Sequence, residues 1–231
     1  MVLLRNLLFE PLFYVGSVIY VLIVAFFALF SNRYAVRGAH HWSNYVRFLT
    51  RHVLGIRIEI DGELPHGAVI VAPKHESFFE ALLLPSLFPN GAVVMKRELL
   101  RIPIWSGIVR RHGSIFVDRS GKGTAMRSML REAEAAKAAG REIVVFPEGS
   151  RAAPNEEPEI RSGVAGLYRM LKLPVVPVCL RSAHVWPKSG LKRPGTVRLE
   201  VMPEIPVGLE RKDFEARLHA GINGRRLADS A

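Results

Sequence analysis

The chain has 231 residues, of which 49 % are hydrophobic and 23 % are charged, a balance typical of a packed globular protein and not of a disordered one. Its 32 lysine and arginine residues outnumber its 21 aspartate and glutamate residues, and the net charge of +11 favours an anionic partner such as phosphate, a membrane surface or nucleic acid. The single cysteine, Cys179, excludes a disulfide framework and a cysteine-rich zinc site, and it favours a reducing compartment.

A long uncharged segment lies near the start of the chain. Residues 11–30 contain no charged side chain, and a helix of about twenty such residues spans a hydrocarbon layer of ~30 Å. The first 31 residues hold one arginine and one glutamate, so the whole positive excess lies in the rest of the chain. A signal peptide is disfavoured, because the apolar segment is long and is followed by bulky and basic residues. We therefore predict a membrane-inserted helix over residues 11–30.

The next segment, 33–54, has the periodicity of an amphipathic helix. At about 100° per residue, a basic stripe lies opposite an apolar face. The stripe consists of Arg33, Arg37, Arg47 and Arg51, and the apolar face consists of Trp42, Tyr45, Val46, Leu49 and Val53. Such a helix either lies in a membrane interface or packs its apolar face on the domain behind it, and both alternatives stay open. Residues 1–54 are predicted to form a membrane anchor, and the arginines after the apolar segment predict that the body lies on the cytoplasmic side.

From residue 55 onward, short β-rich runs alternate with helical stretches. The predicted strands are 56–60, 68–71, 92–95, 114–117, 142–146, 175–180 and 196–202, and the predicted helices are 78–88, 123–139, 161–171 and 211–222. This alternation predicts a single α/β domain over residues 55–231, with a mostly buried mixed sheet flanked by helices.

The strongest candidate for chemistry follows the second predicted strand. Ligands usually bind at the carboxyl ends of strands in such sheets, and His75, with an ordinary pKa of ~6.5, is suited to act as a base at neutral pH. Glu80 is the candidate partner, but five residues along a regular helix correspond to about 140° around its axis. The pair can meet only if His75 precedes the helix, which the capping pattern Ser-x-x-Glu from Ser77 to Glu80 favours. The same pattern leaves open that Glu80 only caps the helix.

Three further predicted strands lead into basic residues. Lys96 follows strand 92–95, Arg119 follows strand 114–117, and strand 142–146 leads into a turn that contains Glu148, Gly149 and Arg151. A glycine-containing turn with an arginine can present backbone N–H groups and a guanidinium to phosphate, whereas the alternative is an ordinary turn with a solvated arginine.

Four blocks of the sequence occur in the order found in a known family. Residues 75–80 resemble its H-x4-D block, residues 113–119 its G-x-x-F-x-x-R block, residues 146–151 (FPEGSR) its F-P-E-G-T-R block, and residues 176–178 its V-P-V-type strand. The family is that of the glycerolipid acyltransferases, specifically the 1-acyl-sn-glycerol-3-phosphate acyltransferases. The chain departs from the family's usual pattern in one respect, because Glu80 stands where the family usually has aspartate.

The resemblance implies roles for these residues. His75 would be the general base and Glu80 its orienting acid, while Arg119 and the turn of Glu148, Gly149 and Arg151 would bind the acceptor's glycerol phosphate. From its place after a strand, we expect Lys96 to hold the same phosphate with Arg119 and Arg151. The implied fold is a glycerolipid-acyltransferase-like α/β domain behind the membrane anchor.

The resemblance also implies a reaction. An acyl thioester, either acyl-CoA or acyl-carrier protein, would donate its acyl group to the sn-2 hydroxyl of 1-acyl-sn-glycerol 3-phosphate at a membrane, with no metal and no other cofactor. Two alternatives stay open, namely another lysolipid acceptor such as lyso-ornithine lipid, and a non-catalytic basic membrane-binding module. The expected partners are membrane lipids, the lysophospholipid acceptor and the thioester donor. Nucleic acid is not expected, because the aromatic residues lie mostly in the apolar front and the strands.

Overall fold

The structure is a computed structural model that describes residues 1–118 and 123–225. Within these ranges it contains seven helices of the α type, which are α1 (Val2–Ala28), α2 (Asn32–Leu49), α3 (Phe79–Leu87), α4 (Trp105–His112), α5 (Gly123–Ala138), α6 (Ser162–Leu171) and α7 (Arg211–Ile222). The strands are β1 (Ile56–Asp61), β2 (Ile70–Pro73), β3 (Ala92–Lys96), β4 (Ile115–Val117), β5 (Ile143–Val144), β6 (Val175–Leu180) and β7 (Gly195–Val201). A π-helical turn, Thr50–Leu54, follows α2, and a 3₁₀ helix, Arg97–Arg101, follows β3.

The strands form one mixed sheet. Their spatial order is β1, β7, β6, β2, β5, β3 and β4, and every neighbouring pair is parallel except the antiparallel pair β6–β7. All residues of the central strands β2 and β6 are buried, as expected for continuous apolar runs covered on both faces. The predicted mostly buried mixed sheet flanked by helices is confirmed.

Successive side chains along each strand point to opposite faces of the sheet, so the hydrophobic core has two parts, one on each face. On β2, Val71 packs in a cluster with α1, α2 and α3, while Ile70 and Ala72 pack in a cluster with α5, α6 and α7. Helices on both faces leave the carboxyl ends of the parallel strands β2, β5, β3 and β4 side by side at one edge of the sheet. We call it the carboxyl edge.

The first helix starts earlier than residue 11, the predicted start. Helix α1 begins at Val2 and contains Pro11, because the polar residues that precede the uncharged segment face the body and find partners there. Arg5 donates to the carbonyl of Leu54 (2.8 Å), the Asn6 side chain bonds the backbone of Lys192 (2.8 and 2.9 Å), and Glu10 pairs with the Lys192 ammonium. The amino-terminal half of α1 is therefore attached to the globular body.

The other half of α1 is also in contact with the protein. Val24 and Ala28 pack in a small cluster with Ala35 of α2 and Ile108 of α4. A helix of 27 residues is about 40 Å long, so α1 lies along the body over its whole length. It is the one helix among the described residues that is long and apolar enough to cross a membrane by length and composition.

Helix α2 packs its apolar face within the protein. Val46 and Leu49 are buried in the core, Trp42 donates from Nε1 to the Ser17 hydroxyl of α1 (2.9 Å), and the Tyr45 hydroxyl donates to the carbonyl of Leu12 (2.7 Å). Of the two alternatives for this segment, the structure therefore shows the second, in which the apolar face packs on the protein.

The remaining predicted helices agree with the structure to within one residue at their ends, but α4 was not predicted. It spans only eight residues and ends in Arg110, Arg111 and His112, so it has no long apolar periodicity. Its buried residues, chiefly Ile108 and Val109, are apolar because α1 and α2 cover them.

Candidate active site

His75 lies just after β2, at the carboxyl edge. Its ring stacks on that of Phe146 with centroids 3.9 Å apart and an interplanar angle of 19°. Its backbone N–H donates to Glu148 Oε2 (2.7 Å), and its carbonyl accepts from the backbone N–H of Ala152 (2.8 Å). The loops that follow β2 and β5 are thus held together around the imidazole, whose side chain is 16 % exposed.

Glu80 both caps the helix and contacts the histidine. Its Oε1 accepts backbone N–H bonds from Glu76 (2.5 Å) and Ser77 (2.7 Å), while the Ser77 hydroxyl accepts from the backbone N–H of Phe79 (2.9 Å). The bond from the Ser77 N–H to Glu80 is the one that the acid of a capping box makes, whereas the Ser77 hydroxyl bonds the N–H two residues on instead of three. The same Oε1 lies 3.3 Å from Nδ1 of His75, because His75 belongs to the turn before α3. The two alternatives from the sequence are therefore present together.

The Glu80 carboxylate is surrounded by donors. Its Oε2 accepts from the hydroxyls of Ser77 (2.8 Å) and Ser182 (2.7 Å), and the residue is 1 % exposed. Burial by itself raises the pKa of Glu80, but the hydrogen bonds from His75, Ser182 and Ser77 outweigh it and hold that pKa below its ordinary value. Because an ionised carboxylate can only accept, Nδ1 of His75 carries the proton and Nε2 is the basic nitrogen of the neutral ring.

A loop distant in sequence braces this turn. The backbone N–H groups of Ser182 and Ala183, just beyond β6, donate to Glu76 Oε2 (3.0 and 3.3 Å). Sequence reasoning missed Ser182 and Glu76. The available signal was the position of Ser182 just after the predicted strand 175–180. In the structure this strand, β6, lies beside β2 and runs parallel to it, so Ser182 comes close to the turn after β2.

Glu148 is a buried carboxyl group with one oxygen unused. Its Oε2 accepts the His75 N–H, whereas its Oε1 has no hydrogen-bond partner among the described residues, and the side chain is almost fully buried. Burial raises the pKa of Glu148 to about 7, and the His75 N–H and the nearby Lys74 charge offset this only in part. Near neutral pH the free oxygen can therefore either accept or donate a hydrogen bond.

The turn that carries Glu148 requires its glycine. Gly149 has φ of +71°, in the left-handed region that glycine adopts readily, and its N–H donates to the carbonyl of Phe146 (3.1 Å). Arg161 bonds the other side of the same turn through the carbonyls of Pro147 and Glu148. The turn is thus fixed at the end of β5.

Two of the three basic residues predicted to bind phosphate lie within the described part of the chain. Lys96 ends β3 and Arg151 follows β5, so both belong to the carboxyl edge, and both are exposed. Neither side chain has an ion-pair partner within residues 1–118 and 123–225. Arg119 lies outside the described residues.

Lys74 is a cation that sequence reasoning did not single out. It is 4 % exposed, and its ammonium donates to the carbonyl of Glu156 (3.0 Å) and to Oδ1 of Asn223 (2.5 Å). It therefore ties the segment before His75 to the end of α7.

Comparisons with known proteins agree on one family. The model of the family described as Acyltransferase matches residues 55–181, which include His75, Glu80 and the turn after β5. A 1-acyl-sn-glycerol-3-phosphate acyltransferase of Pseudomonas aeruginosa is 30 % identical over 166 residues, covering 71 % of this chain and 65 % of that protein. This chain thus spans just under two thirds of the length of that relative. A protein of the same name from Saccharomyces cerevisiae is 27 % identical over 218 residues, covering 87 % of this chain and 72 % of that protein.

The fold has a solved counterpart. The crystal structure of the 1-acyl-sn-glycerophosphate acyltransferase of Thermotoga maritima superimposes with a TM-score of 0.76 and covers 96 % of each chain, at 22 % identity. The likeness extends over the amino-terminal helices as well as the sheet.

Proposed function

Because the chain belongs to the acyltransferase family, we propose that it transfers a fatty acyl group from an acyl thioester to the sn-2 hydroxyl of 1-acyl-sn-glycerol 3-phosphate, giving phosphatidic acid. The observation that carries this proposal is the contact between His75 and an ionised Glu80 at the carboxyl edge. A membrane-binding module without catalysis would have no use for a polarised histidine held in this way.

The proposed reaction needs one base that later acts as an acid. Nε2 of His75 accepts the proton of the acceptor hydroxyl as that oxygen attacks the thioester carbonyl. A tetrahedral oxyanion forms, and the imidazolium is stabilised by the charge of Glu80 through Nδ1–H. When the oxyanion collapses, the carbon–sulfur bond breaks and the imidazolium protonates the leaving thiolate. The products are the ester and the free thiol, and His75 is neutral again.

The acceptor's phosphate would lie among the cations of the carboxyl edge. We propose that Lys96 and Arg151 bind it, and that the free Oε1 of Glu148 contributes a polar contact to the acceptor. Two exposed cations that follow neighbouring parallel strands, neither with an ion-pair partner among the described residues, support this role. Arg119 stays a predicted member of the same set.

We further propose that the protein works at a membrane surface. Large apolar side chains of α1 are exposed along its length, among them Leu4, Val15, Ile23 and Phe26. Since both halves of α1 contact the body, the helix would lie in one leaflet instead of crossing the bilayer. The arginines of α2 would then meet lipid headgroups on the cytoplasmic side.

The test is acyl transfer by purified protein in lipid vesicles, with labelled acyl-CoA and lysophosphatidic acid. We expect labelled phosphatidic acid, and we expect His75→Ala to lower turnover by about 10²–10⁴-fold. The matched control is His66→Ala, because His66 also lies near a buried carboxylate, Glu142 (3.8 Å), but precedes β2 at the opposite edge of the sheet. Equal turnover by the wild type and His75→Ala would overturn the mechanism.

The same assay identifies the substrates. Acyl-CoA and acyl-carrier protein are compared as donors, and lysophosphatidic acid is compared with lyso-ornithine lipid and with other lysophospholipids as acceptors. Preference for the phosphate monoester supports the proposed acceptor, and preference for a lipid without phosphate contradicts it. Vesicle binding without any thioester consumption would favour a non-catalytic module.

A further inference from the structure

An exposed apolar segment lies between the carboxyl edge and the amino-terminal helices. Residues 97–104, from the 3₁₀ helix to the start of α4, contain no buried residue. Leu99, Ile102 and Ile104 are 38, 47 and 52 % exposed. Three large aliphatic side chains exposed within six residues are unusual for a loop in water, and such patches mark interaction sites.

The backbone of this segment is strained where it presents Ile104. That residue has φ of +64° and ψ of −56°, and the N–H of Trp105 donates to the carbonyl of Pro103 (2.6 Å). This is a γ-turn with a β-branched residue at its centre, a conformation that is rare and unfavourable. Strain of this kind persists where it serves a function, and its effect here is to hold an aliphatic side chain outward.

The segment is connected to both the site and the membrane-facing helices. It begins directly after Lys96 at the end of β3, next to the strand that carries the Glu148 turn. It ends in α4, whose Ile108 packs against Val24 and Ala28 of α1. The exposed apolar residues are thus joined by a rigid helix to the apolar helix α1.

Basic residues flank the apolar ones. Arg97 and Arg101 are exposed within the segment, and Arg110 and Arg111 are exposed on α4, against the single acid Glu98 in residues 97–104. Aliphatic side chains between arginines match a bilayer surface, whose apolar chains lie beneath anionic phosphates.

We propose that residues 97–104 are a second lipid-contacting element, which inserts Leu99, Ile102 and Ile104 among the acyl chains and sets Arg97 and Arg101 at anionic headgroups. It lies apart from α1 in sequence and orients the carboxyl edge toward the membrane surface. The inference rests on the proposed function, since a lipid acceptor would then reach His75 from the bilayer.

The experiment places a fluorescent probe at single sites of the full chain. Ile102→Cys carries the test probe, Ile23→Cys a probe on α1, and Val207→Cys the control. Val207 is 50 % exposed, like Ile102, but it lies near Ile205, which pairs with Val175 at the amino end of β6 and so at the opposite edge of the sheet. The only native thiol, Cys179, is buried with a raised pKa, so it reacts slowly with the label.

Labelled protein is mixed with vesicles of phosphatidylglycerol and phosphatidylcholine that contain a lipid with a nitroxide on its acyl chain, which quenches nearby fluorophores. We expect the probe at 102 to shift to the blue and to lose about half of its emission, as the probe at 23 does, while the probe at 207 is unaffected. Leu99→Cys serves as a second test site if Ile102→Cys does not fold.

The outcomes separate this inference from the proposed function. Quenching at 23 without quenching at 99 or 102 would overturn the second lipid contact and leave the membrane enzyme intact. Quenching at none of the sites would contradict membrane association itself. Quenching at 207 equal to that at 102 would show unspecific adsorption and overturn the proposed orientation.

Discussion

Nδ1 of His75 lies 3.3 Å from Oε1 of Glu80, although five residues separate them and a regular helix would turn them about 140° apart. They meet because His75 lies in the turn that precedes α3, and Glu80 holds that turn by accepting the N–H groups of Glu76 and Ser77. One carboxylate therefore fixes the position of the histidine and supplies the charge beside it.

Replacing Glu80 by glutamine should remove the negative charge beside His75 and keep most of the hydrogen bonds of the side chain. The amide oxygen can keep the bonds of Oε1, and the hydroxyls of Ser77 and Ser182 can rotate to accept from the amide NH₂ in place of Oε2. We expect Glu80→Gln to fold with a loss of about 1–3 kcal/mol of stability, and to lower kcat about a hundredfold because the imidazolium loses its counter-charge. Steady-state kinetics with lysophosphatidic acid and urea unfolding measure the two effects.

Glu142→Gln is the matched control for that variant. Glu142 is also buried, lies 3.8 Å from a histidine and accepts a backbone N–H from Gly67 (3.1 Å), but at the opposite edge of the sheet. Its replacement should leave kcat unchanged.

Because the pKa of Glu80 is lowered by folding, its ionised form stabilises the wild type above about pH 4.5, and this contribution is lost on acidification. A Glu80→Gln variant with wild-type kcat would show that the charge has no catalytic role.

The carboxyl edge could be predicted from sequence because it follows from local patterns. Each short apolar run predicts a strand, parallel strands end at one edge, and His75, Lys96 and Arg151 each follow such a run. The contact of Ser182 with Glu80 could not be predicted, because it joins residues 102 positions apart and depends on β6 lying beside β2. The sequence around Ser182 shows that it follows a strand, but strand order is set by long-range packing, so the sequence does not show that this strand lies beside β2.

The packing of α2 shows the same limit. Its periodicity predicts a helix with an apolar face, but a membrane and a protein core would both satisfy that face. The choice is visible only in specific contacts such as the bond from Trp42 Nε1 to the Ser17 hydroxyl (2.9 Å). Helix α4 was missed for the opposite reason, since eight residues are too few for a clear period.

Ser182 is expected to act on catalysis through Glu80. Ser182→Ala removes the hydroxyl that donates to Oε2 (2.7 Å), so the carboxylate is held less firmly and its pKa rises. We expect kcat to fall by about three- to tenfold with little change in KM, and the acid limb of the pH–rate profile to move to higher pH. Ser86→Ala, which removes a hydroxyl that donates to the carbonyl of Leu83 (2.8 Å) within α3, should change neither. An unchanged pH profile in Ser182→Ala would contradict the positioning role.

Glu148 should make the protein less stable as pH rises. Its pKa is about 7 in the folded protein against an ordinary 4.5, so between these values the folded state binds more protons than the unfolded state. The contribution of Glu148 to the free energy of unfolding is therefore largest at or below about pH 4.5. It falls by at most about 3 kcal/mol by pH 8. Glu148→Gln cannot titrate, so we expect its stability relative to wild type to increase from pH 5 to pH 8 in urea unfolding. A constant difference across this range would show that the carboxyl group is ionised throughout.

Arg151 and Lys96 are expected to recognise the acceptor's phosphate. Since a charge-assisted hydrogen bond contributes about 1.5–3 kcal/mol, Arg151→Gln or Lys96→Gln should raise KM for lysophosphatidic acid by about tenfold or more. KM for the acyl thioester should change little. Arg169→Gln, which removes an exposed arginine on α6, is the control. Should both variants raise KM for the donor and leave that of the acceptor unchanged, the two cations would belong to the donor site.

The close crossing of α1 and α2 predicts opposite effects for two glycine substitutions. A Cβ on Gly38 of α2 would lie 2.4 Å from a methyl group of Val24 and 3.1 Å from its Cβ, so the helices would have to separate. A Cβ on Gly107 of α4 would meet no atom within 4 Å. Alanine favours a helix over glycine by up to about 1 kcal/mol, whereas overpacking costs about 1–3 kcal/mol. We therefore expect Gly38→Ala to lower the free energy of unfolding and Gly107→Ala to raise it slightly. Equal stabilisation by both substitutions, measured by urea unfolding in detergent, would show that α1 and α2 are not in close contact.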